Sequence, residues 1–288
     1  MASAAEWVAA ARPRTLPASI SPVAVGVGVA AAAGPVSWWR ALLTLLVSLS
    51  VQVGTNYAND YSDGVRGTDA VRSGPARLVA SGRATPAAVK RAAFATFGFG
   101  ALCGLAVALS RSPWLVLVGA ACIAAGWFYT GGSHPYGYAG LGELFVFVFF
   151  GLVGVVGSTY AASGHLYALA FLASLPVGLL TVAILVVNNL RDIPTDADVG
   201  KRTLAVRIGA PATRALYLAL IACSFALLAT IAPRRPASLI ALAAVLTAVA
   251  PTRAVRSGAT GRALIPALGE TGRLELLFSA LLAIGIAL

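Results

Sequence analysis

Residues 167–201 read YALAFLASLPVGLLTVAILVVNNLRDIPTDADVGK. The first part, 167–190, is apolar over a length close to the roughly 20 residues a helix needs to cross about 30 Å of hydrocarbon. The stretch then turns abruptly to Asn, Arg and Asp. An apolar span that ends in an acidic cluster predicts a membrane helix with charged chemistry at the membrane's edge.

The same length recurs along the chain. Apolar segments lie at about 16–34, 38–58, 87–109, 113–130, 142–162, 167–190, 211–231, 236–252 and 272–288. Breaks fall where turn chemistry puts them, at Gly34-Pro35, Ser112-Pro113, Ser163-Gly164 and between Pro233 and Pro236. The expectation is an all-α polytopic membrane protein, with nine transmembrane helices in one domain over 1–288. Composition agrees: 59% of the 288 residues are hydrophobic and 11% charged, where soluble proteins carry roughly 25% charged residues. The segment 1–17 holds Glu6, Trp7, Arg12 and Arg14 without a short apolar core before a cleavage site, so it reads as no cleavable signal. Cys103, Cys122 and Cys223 stand far apart in apolar stretches, without metal-ligand spacing, and read as small core hydrophobes.

Charge then orients the spans. With the N-terminus in the cytoplasm, 17 of the 21 Lys and Arg fall inside, and only Arg40, Arg111, Arg234 and Arg235 fall outside. That asymmetry follows the positive-inside rule, and places the C-terminus outside. It also accounts for the net charge of +11; without a basic patch interleaved with aromatics, no nucleic-acid partner is expected. The longer inter-span segments, at 59–86, 131–141, 191–210 and 253–271, all fall on the cytoplasmic side, so the chemistry is expected there, at a plasma membrane.

Of the ten Asp and Glu, six sit in two tight groups. The first spans 56–69, Asn56-Tyr57-Ala58-Asn59-Asp60-Tyr61-Ser62-Asp63 continuing to Asp69. The second spans 188–201, Asn188-Asn189-Leu190-Arg191-Asp192-Ile193-Pro194-Thr195-Asp196-Ala197-Asp198, ending at Lys201. Each follows a span directly. Asn59 and Asp63 are four apart, as are Asp192 and Asp196, so each pair shares a face if its helix continues; Pro194 argues against continuation in the second. Clustered carboxylates repel one another, and a hard divalent cation relieves them. Mg²⁺ takes one or two carboxylates, keeps several waters and completes its shell with phosphate oxygens. Arg66, Arg77, Arg191 and Lys201 suit an anionic ligand beside such ions. The competing readings are polar helix caps at the membrane surface, or the acids of a transporter or lipid-binding scaffold. Against transport, the acids gather at one face instead of lining the membrane depth.

At these residues the chain resembles the UbiA-type intramembrane prenyltransferases. Their first motif, Asn-x-x-x-Asp with a further Asp, corresponds to Asn59, Asp63 and Asp69, and their second, Asp-x-x-x-Asp, to Asp192 and Asp196. The resemblance covers essentially the whole chain. It is strongest with the branch acting on 1,4-dihydroxy-2-naphthoate in menaquinone synthesis, through Ala11-Arg12-Pro13-Arg14-Thr15-Leu16-Pro17, the 56–69 segment, Tyr129-Thr130-Gly131-Gly132 running to Pro135-Tyr136-Gly137-Tyr138 and Gly142-Glu143, and Asn188-Asn189-Leu190-Arg191-Asp192. His134 departs from it, standing where relatives carry Lys or Arg, and is given no catalytic role.

The resemblance implies a nine-helix bundle. It also implies Mg²⁺-dependent transfer of a polyprenyl group from its diphosphate to dihydroxynaphthoate, yielding demethylmenaquinone, diphosphate and CO₂, with 4-hydroxybenzoate or homogentisate as the alternative acceptors. Asp60, Asp63, Asp192 and Asp196 are the catalytic candidates, and Asn59, Asp63, Asp192 and Asp196 the metal ligands. Asn56, Arg66, Asp69, Arg77, Arg191 and Lys201 are the diphosphate candidates, with Ser81 and Gly82 in a segment that closes over it. Arg12, Arg14, Tyr57, Tyr129, Tyr138, Glu143 and Asn189 are candidates for the acceptor and prenyl pocket, with Phe145 and Phe149 as further walls. Alternatives stand beside several of these. Arg12 and Arg14 serve equally as snorkelling anchors, Glu143 as a residue favoured by its helix start, and the aromatics as core or lipid-facing residues.

Overall fold

The computed structural model describes residues 2–68 and 77–288. Ten helices carry the fold: α1 (Ala4–Ala10), α2 (Pro17–Ala33), α3 (Trp38–Arg66), α4 (Pro86–Arg111), α5 (Trp114–Phe128), α6 (Gly142–Ser163), α7 (Ala168–Asp198), α8 (Leu204–Ile231), α9 (Pro236–Arg256) and α10 (Ile265–Ala287). There is no strand among the described residues. Six helices, α3, α4 and α6 to α9, are long and apolar enough to cross a membrane, seven if α1 and α2, bent by 52° about the Arg12–Leu16 segment, count as one span. The expected nine spans are not reached on this measure. The helix α5 has only 15 residues, and α10 carries Glu270, Arg273 and Glu275.

The helices outrun the apolar segments that announced them. Hydrophobicity marks where hydrocarbon would end, whereas the backbone hydrogen-bond ladder continues until a cap stops it. The helix α3 runs on through the first acidic group to Arg66, where Gly67 at φ 74° ends it, a left-handed conformation that costs glycine little. The helix α7 continues past Pro194 to Asp198, so Asp60 and Asp63 are helical on α3 and Asp192, Asp196 and Asp198 on α7. What was expected as a long segment at 191–210 is reduced to a short turn before α8, whose start is capped by the Thr203 hydroxyl accepting from Val206 N at 3.3 Å.

A continuous apolar core joins α2 with α6 to α10, centred on Val25, Val155, Leu180, Tyr217, Leu274, Phe278 and Leu282. Lipid tails are as apolar as this core, so close backbone approach and buried hydrogen bonds must hold it together. Both occur. Gly151 on α6 faces Gly178 on α7 so closely that a Cβ there would sit 2.8 Å from the partner's Cα. The Tyr217 and Thr271 hydroxyls meet at 2.7 Å in the interior. The helix α3 packs instead against α4, and α6 widens into a π-helical turn over Phe147–Val153. Such turns reset which side chains face inward, and here they flank an internal cavity.

Candidate active site

Both acidic helix ends open onto one cavity. From α3 it is lined by Asn56, Asn59 and Asp63, from α7 by Asn188, Asn189, Asp192 and Asp196, and between them by Arg12, Arg77, Thr130, Tyr138 and Lys201. Deeper, the lining becomes apolar and aromatic. Tyr136 stacks on Phe145 with centroids 4.0 Å apart, Phe145 stacks on Phe149 at 6.0 Å, and Tyr129 meets Tyr136 edge-on at 5.5 Å. The polar mouth and the aromatic interior are one continuous space.

Asp63 is the hub of the mouth. Its side chain is only 4% exposed, and three groups from distant segments converge on it. Tyr138 donates its hydroxyl to Oδ1 at 2.6 Å, Lys201 Nζ donates to Oδ2 at 3.1 Å, and the Arg77 guanidinium stands 3.7 Å from Oδ2. Lys201 Nζ also lies 4.8 Å from the centre of the Tyr138 ring. Backbone bonds lock the same pieces: Lys201 N donates to Asp196 O at 2.8 Å, and Arg202 N to Tyr138 O at 3.0 Å. Burial, with the Asp63 carboxylate beside it, pushes the Tyr138 phenol well above its usual range, so it stays protonated and keeps donating.

The second group is tied differently. Arg191 bonds Asp192 in bidentate fashion, Nε to Oδ1 at 2.7 Å and NH2 to Oδ2 at 2.5 Å, and reaches Asn188 Oδ1 at 2.9 Å. It is therefore occupied within its own helix. Arg66 likewise turns away from the cavity, its guanidinium bonding the carbonyls of Thr130 and Gly132. Neither of these two cations expected at a diphosphate lines the cavity, whose cationic lining is Arg12, Arg77 and Lys201.

The remaining expected residues divide. Asn59 Oδ1 accepts from the Thr130 hydroxyl at 2.7 Å, and Asn56 Nδ2 donates to Ala11 O at 2.9 Å. Asp60 is fully buried beside the cavity-lining stripe of α3, with both oxygens taken by the backbone amides of Leu78 and Val79 at 2.9 and 3.0 Å. It shapes the 77–84 segment that carries Arg77, Ser81 and Gly82, and does not face the cavity. Tyr57 also points away, bonding Trp7 O at 3.1 Å, and Arg14 is exposed at the surface. Arg12 lines the cavity from a backbone at φ 57°, strained for a non-glycine residue. Glu143 is buried behind the wall, its Oε1 accepting from Asn189 Nδ2 at 3.0 Å. Asp69 lies outside the described residues.

Sequence reading missed two groups. Thr130 orients a proposed metal ligand across 71 positions, and only its place in the Tyr129–Gly132 motif hinted at it. Glu275, fully buried on α10, accepts from Thr181 at 2.5 Å, and Thr181 lines the cavity. An acid inside a predicted span is the signal that marks it.

The donor set suits Mg²⁺. Asn59, Asp63, Asp192 and Asp196 offer only oxygen, the preference of a hard cation. Among the described residues no three acidic, histidine or cysteine groups converge on one point. An ion held there would draw on few protein ligands and leave positions for phosphate and water, as Mg²⁺ does.

The model of the UbiA prenyltransferase family matches residues 19–261. The 1,4-dihydroxy-2-naphthoate octaprenyltransferase of Mycobacterium tuberculosis is 50% identical over 287 residues, covering 100% of this chain and 98% of its own. The Escherichia coli protein of the same name is 37% identical, covering 77% and 75%. Among solved structures, a UbiA homolog from Archaeoglobus fulgidus bound to DMAPP and Mg²⁺ superposes with a TM-score of 0.67 at 17% identity, covering 98% of this chain and 99% of its own. The apo UbiA homolog from Aeropyrum pernix K1 does so with 0.72 at 17% identity, covering 92% and 96%.

Proposed function

The chain belongs to the UbiA prenyltransferase family, and from that premise we propose that it carries a polyprenyl group from a polyprenyl diphosphate to 1,4-dihydroxy-2-naphthoate in menaquinone synthesis. It is an aromatic prenyltransferase. The observation that carries this reading is the convergence of both acidic helix ends on a cavity that passes from a charged mouth into an aromatic interior. The acceptor rests on 50% identity, over the whole chain, to a 1,4-dihydroxy-2-naphthoate octaprenyltransferase.

Each part of the cavity has work suited to the reaction. Arg77, Lys201 and Arg12 bind and orient the diphosphate at the mouth. Asn59, Asp63, Asp192 and Asp196 would hold Mg²⁺, which when bound supplies charge neutralisation for the diphosphate leaving group. Tyr129, Tyr136, Phe145 and Phe149 exclude water from the allylic carbon as its bond to oxygen breaks, and their faces favour the developing positive charge. The electron-rich naphthoate ring forms the new carbon–carbon bond, and loss of the carboxyl group as CO₂ returns the electron pair that restores aromaticity. The first product is the hydroquinone form of demethylmenaquinone, so no oxidant is needed for the transfer itself.

In the membrane, nine spans are proposed as one domain, with the N-terminus and the cavity mouth on the cytoplasmic face of the plasma membrane. Support comes from the 17 of 21 basic residues on that side and from both motifs lying at it. The test uses purified protein in lipid vesicles with polyprenyl diphosphate, Mg²⁺ and either dihydroxynaphthoate or 4-hydroxybenzoate. Prenylated naphthohydroquinone and CO₂ should appear only with the first acceptor and only before chelation. Product with 4-hydroxybenzoate alone would overturn the acceptor assignment.

A further inference from the structure

Asn189 and Glu143 form a buried polar pair at the side of the cavity. Asn189 sits on α7 three residues before Asp192 in the sequence, roughly one turn deeper than the metal-ligand candidates. It borders the cavity, whereas Glu143, in the first turn of α6, lies behind it. Asn189 Nδ2 donates to Glu143 Oε1 at 3.0 Å. Glu143 is 9% exposed, and its second oxygen, Oε2, has no hydrogen-bond partner.

The chemistry of the two groups fixes their orientation. An amide nitrogen only donates, and the bond to Glu143 Oε1 takes up that side of Asn189. Its Oδ1 is then the atom left to serve the cavity, as a hydrogen-bond acceptor. The walls beside it are aromatic: a Cβ on Gly142, next to Glu143, would lie 3.3 Å from the Tyr129 ring. A flat ring with a hydroxyl donor fits such a slot.

We infer that Asn189 is an acceptor-binding residue whose Oδ1 receives the 4-hydroxyl of the dihydroxynaphthoate, and that Glu143 is the positioning residue that holds the amide in that orientation. This rests on the acceptor reading above. The choice of hydroxyl follows from the substrate. The 1-hydroxyl lies beside the carboxylate and bonds to it internally, so the 4-hydroxyl is the donor that would enter a dry cavity unpaired. Glu143 therefore acts through Asn189 and is not a base on the ring.

The experiment compares 1,4-dihydroxy-2-naphthoate with 1-hydroxy-2-naphthoate, which lacks only the 4-hydroxyl, as substrates or as competing inhibitors. Wild type should favour the dihydroxy compound by roughly tenfold or more, because an analogue that cannot pair a buried polar group is rejected. In Asn189→Leu that preference should collapse to within about threefold, with the KM for polyprenyl diphosphate unchanged. Glu143→Gln, whose amide can donate as well as accept, should lose part of the preference while keeping the fold, and so guards against a failure of the leucine variant to fold. Equal losses for both naphthoates in either folded variant would mean a merely structural pair and overturn the inference. Unchanged preference in Asn189→Leu would overturn it too. Wild type that prenylates neither compound would instead bring down the acceptor reading itself.

Discussion

Near its C-terminal end, α3 carries two aspartates on neighbouring faces with opposite duties. Asp60 and Asp63 stand three apart in the same helix, and both are buried. Asp60 spends both oxygens on the backbone amides of Leu78 and Val79. Asp63 faces the cavity, where its partners are side chains from three other segments, Tyr138, Lys201 and Arg77. Backbone amides cannot be exchanged for another ligand without unmaking the turn. Side-chain cations can move from carboxylate to phosphate. The Asp60 face builds the turn, and the Asp63 face is the one proposed to react.

That contrast sets an order of expected effects. Asp63→Ala should lower kcat/KM for prenyl transfer by roughly 10²–10³-fold, the scale for removing one preorganised electrostatic contact, measured in vesicles with saturating Mg²⁺. Lys201→Met should raise the KM for polyprenyl diphosphate by roughly 10–100-fold, the worth of one charge-assisted hydrogen bond, with the KM for the naphthoate little changed. Asp60→Asn is isosteric but turns one acceptor into a donor facing a backbone N–H. It should lower stability by about 1–3 kcal/mol in a reversible unfolding assay and raise the donor KM several-fold through the displaced Arg77. A loss in Asp60→Asn as large as that in Asp63→Ala, in folded protein, would erase the division between the faces. Smallest of all, Arg83→Ala removes a pair in which Arg83 is half exposed and bonds Glu6 at 2.5 Å. Transfer should stay within about twofold of wild type, as for most surface ion pairs.

How much of this was legible in the sequence depends on range. The four-residue spacing of Asn59 with Asp63, and of Asp192 with Asp196, is local, and the structure places each pair on one cavity-facing stripe of its helix. The continuation of α7 through Pro194 was not legible, because a proline near a helix end forfeits only one bond and the surrounding contacts decide. Asp60 was indistinguishable from Asp63 by residue type, since its partners lie beyond α3 in a segment whose fold no spacing reveals. Arg66 and Arg191 read as phosphate cations on charge alone; the carbonyls that hold Arg66 became visible only with the packed chain, whereas Arg191 is held within its own helix by Asp192 and Asn188. Glu275 was passed over because it stands in an apolar span and joins no cluster, although its bond to Thr181 brings it to the cavity's edge.

The central claim is that two acidic segments, 56–69 and 188–201, make a single metal and diphosphate site. Calorimetric binding of a non-reacting prenyl thiodiphosphate tests it without relying on turnover. Wild type should bind with Mg²⁺ and lose that binding on chelation, and Asp63→Ala and Asp192→Ala should each abolish it while remaining folded. Binding that survives in either folded variant, or that ignores chelation, would contradict the account.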